Sequence, residues 1–237
     1  MLGKIINHNG NKLTIEFDED INAKYLALVS REKENFVEVD ILDNELKSNR
    51  QNSLSHALIK DIAKHDGTPL YITKDKMKEI YFEGTGIKFN HTEATMSVMA
   101  KWIDFLIEYV LYEGVPLPKR YSYLLEQDAF FYYACKYRKC CICGASNAQI
   151  HHITAVGNRK RNKVDHRLFP FAAVCYEHHK LAHDIGEIVF IKDYLVIPVY
   201  LDQQTLVDIG ITSNSQLMRF DEQYENEELF NKLRIGG

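Results

Sequence analysis

Cys140-x2-Cys143 is followed, after thirty-one intervening residues, by Cys175-x2-His178. Two ligand pairs separated by a module-sized gap fit a closed, tetrahedral, structural Zn2+ site, because thiolate and imidazole together suit that ion. Gly144 favours the tight knuckle turn behind the first pair, and Cys141 stands as an alternative ligand. A metal held there would contribute folding free energy to a segment with little core of its own. All five cysteines, from Cys135 to Cys175, fall within 41 positions, and six of the ten histidines lie from His151 to His183.

Those histidines form a second pattern: His151-His152, then His166, then His179-x3-His183. Gln149-Ile150-His151-His152-Ile153 reads as a short strand, in which neighbouring side chains point to opposite faces. His151 and His152 therefore have different jobs. On a helix starting near Tyr176, His179 and His183 are one turn apart and face the same way. One strand histidine and two helical ones make a three-ligand site with open positions, as a catalytic metal requires. His152, outside that set, is then suited to take a proton from water.

Between the histidine groups lies Arg159-Lys160-Arg161-Asn162-Lys163, four cations in five residues, which suits phosphate. The whole chain has 237 residues and a formal net charge of -4, which by itself argues against a simple polyanion-binding protein. The charge is segregated, however. Residues 1–118 carry 14 Lys/Arg against 19 Asp/Glu, 119–180 carry 11 against 4, and 181–237 carry 4 against 10. A basic segment of net +7 thus coincides with the cysteines and histidines. No apolar run is long enough for a membrane span, and residues 1–11 are polar and turn-rich, unlike a signal peptide. A cytoplasmic protein with no membrane partner is expected, and a reducing compartment disfavours disulfides.

The elements that must position these residues read as follows. Ile5-Ile6 and Leu13, Ile15 and Phe17 flank Asn9-Gly10, a hairpin signal. Phe36, Val37, Val39, Ile41 and Leu42 suggest another strand. Residues 48–64 form a helix, capped by Ser48 or Asn49, with Leu54, Leu58 and Ile62 on one face. A second helix follows Thr73, and a longer one spans 92–112. Gly114-Val115-Pro116-Leu117-Pro118 ends it and marks a domain boundary. Residues 124–137 form an aromatic helix that packs as core or stacks bases. Residues 187–201 read as a strand or hairpin, followed by a short helix from Asp202 and an acidic helical tail to Gly237.

Residues 140–184 resemble the HNH, or ββα-metal, nuclease family, with 168–174 as the second strand and Cys175-x2-His178-His179 opening the helix. The resemblance implies His152 as general base and His151 with His179, His183 or both around a catalytic divalent ion, Mg2+ or Mn2+. The family's middle Asn, which orients the base, has His166 as its nearest counterpart here, with Asn158 and Asn162 in the loop before it. Arg159, Lys160, Arg161, Lys163 and Arg167 are the implied phosphate contacts.

Lys47-Ser48-Asn49-Arg50-Gln51-Asn52, leading into Leu54-Ser55-His56-Ala57-Leu58, looks like the phage Orf/NinB recombination-mediator family. That resemblance implies single-stranded DNA binding through residues such as Arg50, a homodimer, and a phage or host single-strand-binding protein as partner. The composite is similar to HNHc nucleases of phages infecting Gram-positive bacteria, which places it in the cytoplasm of a bacterial host.

The expected fold is α+β: a hairpin-and-helix mediator-like domain (1–118), a zinc-stapled ββα-metal domain (119–200) and an acidic tail (201–237). The expected function is metal-dependent hydrolysis of single-stranded or branched DNA during phage recombination. The alternative is a non-catalytic mediator with a structural zinc module.

Overall fold

The computed structural model describes residues 3–17, 20, 45–117, 124, 127–154 and 161–235, without the side chains of Arg161 and 226–235. The architecture is α+β, with two small antiparallel sheets among helices. It divides into two units, 1–42 and 43–237. In the first, β1 (Gly3–Asn9) pairs with β2 (Lys12–Phe17), and a register shift falls between Ile5 and Asn7. Asn9 pairs with Lys12, so the turn residues are Gly10 and Asn11, one position later than the expected Asn9-Gly10. Gly10 supplies the positive φ of 57° that the tight turn demands. The strand expected around Phe36 to Leu42 lies outside the described residues.

In the second unit, α1 (Asn49–Asp66) begins with a capping box. Ser48 Oγ accepts from Gln51 N, and Gln51 Oε1 accepts from Ser48 N. Gln51 also donates through Nε2 to the Met96 carbonyl at 2.9 Å, so this buried side chain belongs to the fold. Leu54, Leu58, Ile59 and Ile62 form the buried stripe. Pro69 starts α2 (Leu70–Thr85) immediately, earlier than Thr73, because its fixed φ and missing N–H suit a helix entrance. In α3 (Met96–Glu113), Thr95 caps the Val98 N–H, and Met99, Trp102, Ile103, Leu106, Ile107 and Val110 are buried.

Trp102 is the centre of this helical half. Phe89 stacks on it at 4.1 Å, and Tyr81 meets its edge at 5.2 Å. Its Nε1–H donates to Ser55 Oγ at 2.8 Å, and Ser55 shares a 3.0 Å hydrogen bond with His91 Nε2. Burial, with nearby His56 and lysines, lowers the His91 pKa to about 4, so the ring is neutral.

Described residues on either side of the expected boundary at 118 belong to one buried cluster. Helix α4 (Asp128–Lys136) packs on α3, and its Phe130, Phe131, Ala134 and Cys135 join the same cluster as Leu54 and Trp102. That helix in turn packs on β4 (Phe171–Val174), whose four residues are all buried. Strand β3 (Gln149–His152) pairs antiparallel with β4, and α5 (Tyr176–Ile185) follows.

The stretch 187–201, expected as a strand or hairpin, is mostly helical. It begins as α6 (Glu187–Tyr194), and only its end is extended, where Val199 makes a single antiparallel bridge to Phe171. Ile188 and Val189, β-branched, are exposed; Phe190 is buried and packs on Tyr194 one turn later. Tertiary packing at helical spacing overrides strand propensity here. Helix α7 (Gln203–Asp208) is capped by Asp202, and α8 (Asn214–Ile235) completes the chain. Among the described residues, no helix is long and apolar enough to cross a membrane.

Ser55→Ala should leave Trp102 Nε1–H and His91 without this buried partner, costing about 1–3 kcal/mol. The expected readout is a lower urea midpoint with an unchanged far-ultraviolet spectrum; an unchanged midpoint would show that neither bond contributes.

Candidate active site

The knuckle that carries Cys140 and Cys143 closes through Gly144 N donating to the Cys140 carbonyl and Cys140 N to that of Ala145, both at 2.8 Å. Gly144 sits at φ 75°, where a side chain would be strained. Opposite it, Cys175 occupies the N-cap of α5 and His178 lies in the first turn. Cys175 Sγ is 3.1 Å from His178 Nδ1, Cys140 Sγ is 3.6 Å from the same nitrogen, and the Cys143 and Cys175 sulfurs are 3.8 Å apart. The four ligand atoms all lie within 4.8 Å of one another, so the cluster can hold a metal ion. Its donor set of three sulfurs and one imidazole fits a closed tetrahedral site.

Cys141 is outside that group. Its backbone N–H donates to the Ala173 carbonyl at 2.9 Å, tying the knuckle to β4, and burial pushes its thiol well above the ordinary range. Burial also opposes ionisation of Cys175. The His178 and Glu177 N–H groups at the start of α5 and the adjacent Cys143 and Cys140 thiols outweigh that cost and lower its pKa.

Strand β3 separates two further groups. His151 is buried, and its ring meets those of His179 and His183 at 4.7 and 5.2 Å between centroids. Their ligand nitrogens share a second cluster within 4.8 Å. His179 Nδ1 donates to the side-chain carbonyl of Gln149, which leaves Nε2 at 3.3 Å from His183 Nε2. Such an outer hydrogen bond selects the tautomer that a metal ligand needs. The second strand histidine, His152, belongs to the other group: its Nε2 is 3.0 Å from Nδ1 of His166. Phe171 and Phe169 flank the His152 ring, and His166 is almost fully buried in a 3-10 turn, His166–Leu168.

A family model described as "Putative HNHc nuclease" matches residues 17–206. The chain belongs to this HNHc nuclease family. No curated protein and no solved structure matches it. The matched span covers the helical half as well as the ββα segment, in keeping with the continuous core.

The phosphate-binding candidates of this HNHc chain fare differently. Arg159 and Lys160 lie outside the described residues, as does Asn158, and of Arg161 only the backbone is described. Lys163 and Asn162 are exposed. Arg50 is exposed in the first turn of α1, beside the structural Gln51. Arg167 is engaged within the protein: its guanidinium donates to both Asp165 oxygens, at 3.2 Å or less, and to Asp221 at 2.7 Å.

Sequence reasoning missed three parts of this arrangement. Gln149 was read only as part of the strand. Glu187, against His151, gave no signal, because the expected strand would have aimed it differently. The third is the acidic helix α8, which lies beyond the family match yet braces the turn that carries His166. Tyr224 donates to Asp165 at 3.1 Å, Asp221 accepts from Arg167, and Arg219 donates to the Asn162 carbonyl. Asp165 also caps the turn by accepting from Arg167 N at 3.0 Å. Burial raises the pKa of Asp165, but the Arg167 side chain and backbone outweigh this and lower it overall.

The two acids on Arg167 should differ in worth. Asp165 is 3% exposed and Asp221 is 50% exposed. Asp165→Ala breaks a buried pair and should cost about 3 kcal/mol, whereas Asp221→Ala should cost about 0–1 kcal/mol. Urea denaturation measures both, and equal losses would contradict this ranking.

Proposed function

We propose that the chain is a metal-dependent endonuclease that hydrolyses DNA phosphodiester bonds. The observation that carries this reading is the division made by β3. Three histidines gather on one side, and a separate hydrogen-bonded pair, His152–His166, stands on the other. Family membership supports the same reaction class.

In this reading the Cys140, Cys143, Cys175 and His178 cluster holds structural zinc. The second cluster, His151, His179 and His183, holds the catalytic divalent ion. Three imidazoles fit Mn2+ or another transition ion better than Mg2+, which prefers oxygen ligands and water. When bound, the ion supplies positive charge for the phosphoryl oxygens and the leaving 3′ oxygen. His152 takes the proton from the water that attacks phosphorus in line. His166, fixed by burial and by the Asp165 turn, sets the orientation of the His152 ring and the nitrogen that carries its proton. Arg159, Lys160, Arg161 and Lys163 offset phosphate repulsion as the backbone approaches.

The resemblance of the first half to the Orf/NinB mediators supports single-stranded or branched DNA as substrate, Arg50 as a contact, and a homodimer that meets a single-strand-binding protein in a phage-infected bacterial cytoplasm. The divisions 1–118, 119–200 and 201–237 are then read as functional regions. The absence of an Asn in the position that His166 fills favours a second reading, a non-catalytic mediator scaffolded by zinc.

With Mn2+, the purified protein should nick single-stranded or branched DNA. His152→Ala should lower the rate by about 10²–10⁴-fold while DNA binding and metal content persist. Full activity in that variant would remove His152 as the base. No cleavage by the native chain with any divalent ion, alongside retained single-strand binding, would favour the mediator.

Metal analysis should find one tightly held zinc per chain, lost in Cys143→Ser and Cys175→Ser and kept in Cys141→Ala. Loss of zinc in Cys141→Ala would reassign the ligands.

A further inference from the structure

Glu187 has no part in the chemistry described so far. It is the first residue of α6, directly after Gly186, where α5 ends. Gly186 adopts φ 86° and ψ 146°, a conformation that L side chains rarely adopt, and the chain turns there into a second helix. The turn brings the Glu187 carboxylate back onto β3. Its two oxygens lie 2.9 and 2.8 Å from His151 Nε2. His151 is 4% exposed and its ring is bounded by those of His179 and His183, so the contact is sheltered on the histidine side.

A carboxylate against a ring nitrogen accepts a hydrogen bond from it, so that nitrogen carries the proton. With Nε2–H donating to Glu187, the lone pair of neutral His151 is on Nδ1. Among the described residues, the mutually close donors are His151, His179 and His183, and Glu187 is not one of them. Its place is therefore behind a ligand. Gln149 does the same for His179 from β3, by accepting its Nδ1 proton.

We propose that Glu187 is a positioning residue for the three-histidine site. Its carboxylate fixes the His151 tautomer and ring orientation and raises the basicity of the nitrogen offered to the metal. Gly186 is the hinge that aims it. The proposal rests on the reading of His151, His179 and His183 as a metal site. It adds that a residue from the next helix sets the affinity of that site.

The test uses the full-length, zinc-replete protein, with Mn2+ affinity read by calorimetry and the Co2+ visible spectrum reporting coordination. Glu187→Ala should weaken Mn2+ binding about 10–100-fold, the usual effect of losing an outer carboxylate. At saturation its Co2+ spectrum should match that of the native chain. Glu187→Gln keeps an oxygen that accepts the Nε2 proton and should recover most of the loss. Retention of one zinc per chain shows that each variant has folded.

Native Mn2+ affinity in Glu187→Ala would overturn the proposal and leave a plain ion pair. So would a Glu187→Gln variant as weak as Glu187→Ala with an altered Co2+ spectrum, the mark of a direct ligand. The metal-site reading is tested separately by His179→Ala: unchanged Mn2+ binding in that variant would defeat that reading, whatever Glu187 does.

Discussion

Side chains alternate across a β-strand, and β3 is only four residues long, so consecutive histidines on it cannot share a task. His151 turns toward α5 and the start of α6, where His179, His183 and Glu187 converge on it. His152 turns toward the 3-10 turn, where His166 meets it. A slip of one residue in the β3–β4 register would exchange the two sides and dismantle both groups at once. The register His151↔Ala172 and His152↔Phe171 is therefore the constraint on which the rest depends.

What holds that register is mostly β4. Phe171, Ala172, Ala173 and Val174 are fully buried where β4 pairs with β3 and packs on α4, and alanines at the middle positions let the layers approach closely. Burying a side chain the size of Phe171 contributes about 1.5–3 kcal/mol, more than any single surface contact near the site. The knuckle adds a second anchor, because Cys141 N bonds to Ala173 O while the neighbouring Cys140 faces Cys175 and His178 at the far end of the strand. One short strand thus links the apolar core to both candidate metal clusters.

The ligand clusters were legible in the sequence because their information is local. Cys140-x2-Cys143 and Cys175-x2-His178 state a knuckle and a helix start, and His179-x3-His183 states a shared helical face. Helices α1 and α3 were legible for the same reason, through caps and an apolar stripe at helical spacing. Supporting partners were not, because they come from other elements. Glu187 meets His151 from the first turn of a helix, in a stretch whose sequence reads as a strand or hairpin. Arg167 looked like one more phosphate-binding cation, since nothing in the linear pattern pairs it with Asp221, more than fifty residues away. The helix-ending signal at Gly114 was legible as a positive-φ cap, whereas the shared cluster of Trp102 and Phe131 depends on long-range packing.

Net charge illustrates the same separation between linear and spatial information. The acidic C-terminal segment contributes most to cancelling the basic stretch at 119–180, yet its effect is not a uniform screen. Asp221 neutralises Arg167 at the edge of the site, and because that acid is half exposed, salt weakens its pull. Asp165, almost fully buried, is screened less by salt and holds the same guanidinium more firmly. The turn under His166 is accordingly secured by a shielded pair and trimmed by an exposed one. Lys163, by contrast, is exposed. Asp165 and Asp221 act as structural counter-ions: they fix the Arg167 guanidinium in place.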